Sequence, residues 1–193
     1  LYLLGYNNKY YCKQCFAKKA ENWPKPWLSN DPEARRQFEE GHKWETVVYE
    51  RLKADLDPIP VSLTPKSIRS HVSERSKYRN EEDIDIAGHR VEVHARKYAF
   101  TNIGDHPREL EIMTPAKKVA RWGDRRPMCF IIISKVTGAM IVASVQKTQK
   151  DWKRWSQKDP LRAPEGEDVY GCPVSLMTNY DDFVTTLREK MAR

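Results

Sequence analysis

Asp83 and Asp85, followed by Glu92, His94 and Arg96, place five ionisable groups within a short stretch, each set spaced by two residues. In a strand, residues two apart lie on one face. Asp83 therefore shares a face with Asp85, and Glu92 with His94 and Arg96, while Ile84, Ile86, Val91 and Val93 form the apolar opposite face. Ala87-Gly88-His89 between the runs reads as a turn, so Asp83 and Glu92 stand on opposite limbs of a hairpin. Carboxylates on two rigid strands can hold magnesium or manganese, hard cations that take oxygen ligands and keep several waters. Such an ion offsets charge on a pentavalent phosphoryl transition state and generates hydroxide from water. The imidazole of His94 could act as a base or as a ligand. A surface hairpin with a charged outer face would show the same alternation.

Elements on either side must position these groups. Asp31-Pro32 reads as an N-cap with proline in the first turn, and Phe38, Trp44, Val48 and Leu52 recur at helical spacing to about Ala54. Pro58 and Pro60 close that helix, and Val61 to Leu63 reads as a short strand. Downstream, Glu109 to Met113 is expected as a strand and Pro115 to Trp122 as a helical turn. Met128 to Ser134 and Ala139 to Val145 are two apolar runs joined at Lys135 to Gly138, a hairpin expected at the sheet centre. A basic segment around Trp152 to Trp155 and a Pro/Gly-rich loop through Pro173 then lead to a closing helix, Tyr180 to Met191. The expected fold class is α/β, a mixed central sheet flanked by helices. Residues 31–193 form its main domain, and residues 1–30 a small cysteine-containing appendage punctuated by Trp23-Pro24-Lys25-Pro26-Trp27.

The order helix, hairpin, connection, hairpin, helix, together with Asp83 and the strand Val91-Glu92-Val93-His94, resembles the PD-(D/E)XK nuclease superfamily. In that family an Asp near a strand end is followed, often about nine residues on, by an acid, a spacer and Lys. The resemblance covers roughly residues 32 to 145 and implies a restriction-endonuclease-like core. It also implies a divalent-metal-dependent endonuclease that hydrolyses DNA phosphodiesters, with Asp83, Glu92 and the helical Glu45 as ligands for Mg2+ or Mn2+. Ala95-Arg96-Lys97, Phe100-Thr101 and the hairpin around Thr137-Gly138 fit its remaining sheet. The chain departs from the pattern in two places. Glu82 precedes Asp83 where many members have Pro, and His94 stands at the Lys position. Three readings of His94 follow: it serves in the lysine's place, Arg96 or Lys97 supplies the charge, or cleavage has been lost. Strand alternation favours Arg96 over Lys97. On the first reading's converse, that His94 weakens a site built for a permanent cation, His94→Lys is expected to raise the cleavage rate. The alternatives to an enzyme are a catalytically inactive DNA-binding module with a nuclease-like fold and a basic assembly protein with a zinc-binding appendage.

Thirty-four Lys and Arg against 27 acids give a net charge of +7 over 193 residues, which suits a polyanionic partner such as DNA. Candidate phosphate contacts are Lys66, Arg69, Arg75, Lys77 and Arg79 in the polar run 66–80, Lys117 and Lys118 in the helical turn, and Lys153 and Arg154 beside tryptophans that could stack bases. The 66–80 run reads equally as a solvated face, and the segment 152–155 equally as a helix that packs its tryptophans on the sheet and exposes Lys153 and Arg154. Cys12 and Cys15 have the spacing of half a zinc knuckle, and equally that of two reduced thiols. Further Zn2+ ligands could be supplied by His42 or lie upstream, since the chain begins at Leu1 and not Met. Cys129 reads as core and Cys172 as a loop residue, and His71, His89 and His106 as surface or turn residues. No run approaches the roughly 20 apolar residues of a membrane span, and the opening LYLLGYNNKYYC is short and aromatic for a signal peptide. An intracellular location, in the cytoplasm or with the nucleoid, is expected, and a homodimer is compatible with these features.

Overall fold

The computed structural model describes residues 2–3, 10–11, 32–64, 83–123, 126–159 and 163–191. The chain divides into two compact units, Leu1–Glu39 with Lys66–Arg79 and Glu40–Pro65 with Asn80–Arg193. In the first, strands β1 (Tyr2–Leu3) and β2 (Tyr10–Tyr11) pair antiparallel, Tyr2 opposite Tyr11. Lys66, Arg69, Arg75, Lys77, Arg79, Cys12, Cys15 and His71 lie outside the described residues.

The second unit is mixed α/β, as its alternating patterns imply. Helix α1 (Pro32–Leu56) contributes its residues from Glu40 onward. Val48, Leu52 and Leu56 recur every fourth residue and are wholly buried, with Trp44 and Tyr49 flanking them. Strands β3 (Val61–Leu63), β4 (Ile84–Ile86), β5 (His89–Arg96), β7 (Cys129–Ser134), β8 (Met140–Ser144) and β11 (Thr178–Asn179) form a six-stranded sheet in the order β11-β8-β7-β5-β4-β3. Its neighbours are antiparallel except β5 and β7, which run parallel with Glu92 beside Phe130 and His94 beside Ile132. The two apolar strands β7 and β8 lie inside the sheet, as expected. Helix α4 (Tyr180–Met191) buries Tyr180, Val184 and Leu187 beside α1 against Ile84, Ile86, Val91, Ile131 and Val142. Fully burying one such Val, Leu or Ile contributes about 1.5–3 kcal/mol.

The connection from β5 to β7 leaves the sheet. It carries β6 (Leu110–Pro115) and the short helix α2 (Ala116–Val119). After β8 the chain passes through α3 (Val145–Thr148) into β9 (Lys153–Asp159) and β10 (Ala163–Pro173), and β6-β10-β9 form a second, three-stranded sheet. This corrects the expected loop through Pro173, in which Cys172 was to be isolated. Cys172 is buried in β10, and burial raises its thiol pKa. Gly166 and Gly171, which suggested a loop, sit at irregularities of the ladder, while Pro173 pairs in register with Leu110. One register shift falls between Ala163 and Glu167, another between Tyr170 and Gly171. Gly171 also has a local reason: a Cβ there would lie 2.3 Å from Trp155 Cη2.

Between the two sheets lies a second core of Phe100, Met113, Trp122, Phe130, Ile132, Ile141, Ala143, Trp152 and Cys172. Trp152 packs its ring on Trp122 and Phe130 and donates its indole N–H to Thr148 Oγ1 at 2.9 Å. It is a core residue. Cys129 is buried in the first core, as expected. Among the described residues no helix is long and apolar enough to cross a membrane.

Candidate functional site

The β4–β5 hairpin turns through Ala87 and Gly88, both in the left-handed region at φ 50° and 85°, with Ile86 opposite His89. A two-residue turn with both φ positive matches the twist of its strands. Asp85 Oδ1 accepts a hydrogen bond from the Gly88 N–H at 2.8 Å and braces it. The turn sets the register Ile84 to Val91, so Asp83, one residue before Ile84, falls across from Glu92. Ile84, Ile86 and Val91 enter the first core, which leaves Asp83, Glu92, His94 and Arg96 toward the second sheet. Asp83 Oδ2 accepts from the Val93 N–H at 2.8 Å, tying the end of β4 to β5.

The charged face of this hairpin lies between two sheets. Only 7% of the Glu92 side chain is exposed, and each carboxylate oxygen faces a cation. Lys118 Nζ, from α2, donates to Oε2 at 2.7 Å, and Arg90 Nη2 stands 3.3 Å from Oε1. His94 packs against Phe130 with ring centroids 5.2 Å apart, and its Nδ1 lies 3.4 Å from Arg96 Nη2. Burial, reinforced by the Arg96 charge and resisted by Asp83, lowers its pKa to about 3. The imidazole is neutral at neutral pH and supplies no standing positive charge there.

Arg96 reaches across to β6. Its Nε donates to Glu111 Oε1 at 2.6 Å and its Nη2 to the Ile112 carbonyl at 2.7 Å. Glu111 is 1% exposed. Its other oxygen accepts from Tyr98, whose hydroxyl pKa is raised by burial and by that bond. His106, expected at the surface or in a turn, is enclosed instead. Its ring packs on Tyr98 and Phe100 at 5.3 and 5.0 Å, and Nε2 stands 3.5 Å from Glu111 Oε2. Sequence reasoning passed over Glu111, Tyr98 and His106 as site neighbours. The one available signal was an acid in strand phase with Met113, since both are buried on β6.

Glu45, on α1, lies with its carboxylate 3.4 Å from His42 Nδ1. Lys117 pairs with Glu167 at 2.6 Å and Arg154 with Asp168 on β10, while Lys153 is exposed on the edge strand β9. His89 is exposed at the hairpin turn. Among the described residues no group of three or more His, Cys, Asp and Glu side chains gathers to hold a metal ion.

Asp83 and Glu92 are thus a two-carboxylate set on facing strand positions. The donors suit magnesium, which is commonly bound through one or two carboxylates with waters and substrate phosphate completing its shell. Comparison with family models, curated proteins and solved structures finds no match for this chain.

Proposed function

We propose that this domain binds DNA and hydrolyses its phosphodiester bonds with a divalent cation held by Asp83 and Glu92. The observation that carries this reading is the hairpin register that sets Asp83, just before β4, across from Glu92 on β5, with the Lys118 ammonium 2.7 Å from Glu92. An acid pair beside a cation, on a chain of net charge +7, is the donor set phosphoryl hydrolysis uses. A restriction-endonuclease-like core belongs to the same proposal. It is supported by the helix that precedes the antiparallel run β3-β4-β5 and by β7 parallel to β5.

The bound cation would supply charge neutralisation and a water of lowered pKa. Asp83 and Glu92 would supply its carboxylate ligands, Glu92 by exchanging one of its present cation partners for it. In the reaction the water oxygen bonds to phosphorus as one phosphorus–oxygen ester bond breaks. The water's hydroxyl remains on phosphorus, and its other proton ends on the leaving sugar oxygen. His94 contributes a neutral, half-buried wall, and Arg96 ties β5 to β6 through Glu111.

The test is nicking of supercoiled plasmid in Mg2+ or Mn2+ by the wild type, Asp83→Ala and Glu92→Gln. Each substitution is expected to slow cutting by at least about a hundredfold, since a metal's charge stabilisation is worth several kcal/mol. DNA binding should change little, because cations supply phosphate attraction. Equal loss of binding and cutting would refute the assignment. The occupation of both Glu92 oxygens by Arg90 and Lys118 favours a second reading, a DNA-binding module without turnover. Tight binding without nicking in either metal would establish it.

A further inference from the structure

We infer that Lys118 is the catalytic cation of this site, exchanging its ammonium between Glu92 in the free protein and a non-bridging oxygen of the scissile phosphate in the complex. The inference rests on the hydrolytic reading above and assigns a role that strand order does not reveal, because Lys118 comes from α2 and not from β5.

Geometry narrows the choice among neighbouring cations. Arg96 is held by Glu111 and by the Ile112 carbonyl. Arg90 is 11% exposed, with its guanidinium against Glu92 Oε1. Lys97 follows β5 and is exposed, in the opposite strand phase to Glu92. His94, half-buried, packs on Phe130 with its Nδ1 beside the Arg96 guanidinium. Lys118 alone of these joins a direct bond to Glu92 with a substantially solvent-exposed side chain, 41% against 7% for its partner. A lysine has a flexible four-carbon stem and three donors, and a pair open to water on one side separates at small cost.

Two consequences of opposite sign follow. In the free protein Lys118 neutralises Glu92 and so competes with a divalent cation for Oε2. In the DNA complex, once Oε2 has passed to that cation, the released ammonium donates to the phosphate and stabilises the charge that grows there. Lys118 stays protonated throughout, and the bond changes are those given above. A residue serving DNA affinity alone would produce the loss of binding but no change in metal affinity.

The experiment compares wild type, Lys118→Met and Lys118→Arg, with Glu92→Gln and the Lys118→Met/Glu92→Gln double variant as controls. Mn2+ binding to DNA-free protein is measured by calorimetry, and single-turnover cutting of a defined duplex is measured in saturating Mg2+. Thermal unfolding checks each variant's fold. Lys118→Met is expected to bind Mn2+ about three- to tenfold more tightly, the worth of a partly exposed ion pair, and to cut about a hundredfold more slowly. The gain in affinity should vanish on the Glu92→Gln background. Lys118→Arg, which keeps a cation on α2, should fold like wild type and retain more cutting than Lys118→Met. Unchanged Mn2+ affinity, wild-type cutting by Lys118→Met, or equal loss of cutting in Met and Arg variants overturns the role of Lys118 alone. A wild type that neither binds Mn2+ through Glu92 nor cuts overturns the hydrolytic reading with it.

Discussion

Arg96 and Glu111 meet across the gap between the two sheets, Nε to Oε1 at 2.6 Å, with the carboxylate 1% exposed. This pair, a half-buried guanidinium on a buried carboxylate, fastens β5 to β6. Removing one partner strands a charge in a poorly solvated place, at a cost of about 3–5 kcal/mol, whereas replacing both with apolar residues is often neutral or better. Arg96→Met and Glu111→Leu should each lower the denaturation midpoint sharply, and the double variant should recover most of the loss. A double-mutant cycle by urea unfolding with additive losses would contradict the coupling. Reduced cutting in Arg96→Met should be no larger than its loss of folded protein accounts for.

His94 makes stability pH-dependent with a definite sign. Its folded pKa is about 3 against 6.5 in the free side chain. Between those values the unfolded chain binds a proton that the folded chain does not. The contribution is therefore complete above pH 6.5 and is lost as pH falls toward 3, at up to about 1.4 kcal/mol per pH unit. His94→Phe should flatten that slope in unfolding experiments between about pH 6 and 4. A slope unchanged from wild type would show that other groups produce it.

The half-buried seat of His94, against Phe130 and beside Arg96, argues against the expectation that His94→Lys raises the cleavage rate. An ammonium there would sit against Phe130 and beside the Arg96 guanidinium, poorly solvated and repelled. His94→Lys is expected to unfold at lower temperature than wild type and to gain no rate in single-turnover cutting at neutral pH. A faster enzyme of undiminished stability would mean that the pocket opens to admit the charge.

Gly171 is required by close approach. A Cβ at that position would come within 2.3 and 2.5 Å of the Trp155 ring, on the strand pair that builds the second sheet. Gly171→Ala should cost about 1–3 kcal/mol by overpacking. Gly171→Ala in a Trp155→Val background should cost much less, as measured by thermal unfolding.

Ala87 holds a left-handed backbone at φ 50° without the glycine or asparagine such a turn favours. Ala87→Asn should stabilise the hairpin by about 0.5–1 kcal/mol, part of the penalty a Cβ carries in that region. Because the turn sets the register of Asp83 against Glu92, cutting should be retained. A lower unfolding temperature in this variant would count against the turn geometry.

Local periodicity made much of this protein legible in its sequence. The alternation around Gly88 placed Asp83 and Glu92 on one face of a hairpin, and every fourth residue of α1 marked a buried stripe. Both patterns are short-range: a strand or helix shows its faces within a few residues. The apolar runs of β7 and β8 likewise announced interior strands, and α4 spans the residues its pattern suggested.

Tertiary structure decided what surrounds the acids. Gly166, Gly171 and Pro173 read as loop punctuation, yet β10 finds a partner on each side, β9 and β6; its irregularities absorb the two glycines, and Pro173 ends the strand in register with Leu110. That second sheet turned an outward charged face into an inter-sheet one, enclosed His106, and brought Glu111 to Arg96. Lys118 reaches Glu92 from 26 residues away because the connection after β5 leaves the central sheet and runs through β6 of the second sheet before α2 begins. Contacts of that separation follow from where a crossover travels, which depends on the burial of whole layers and leaves no period in the local sequence.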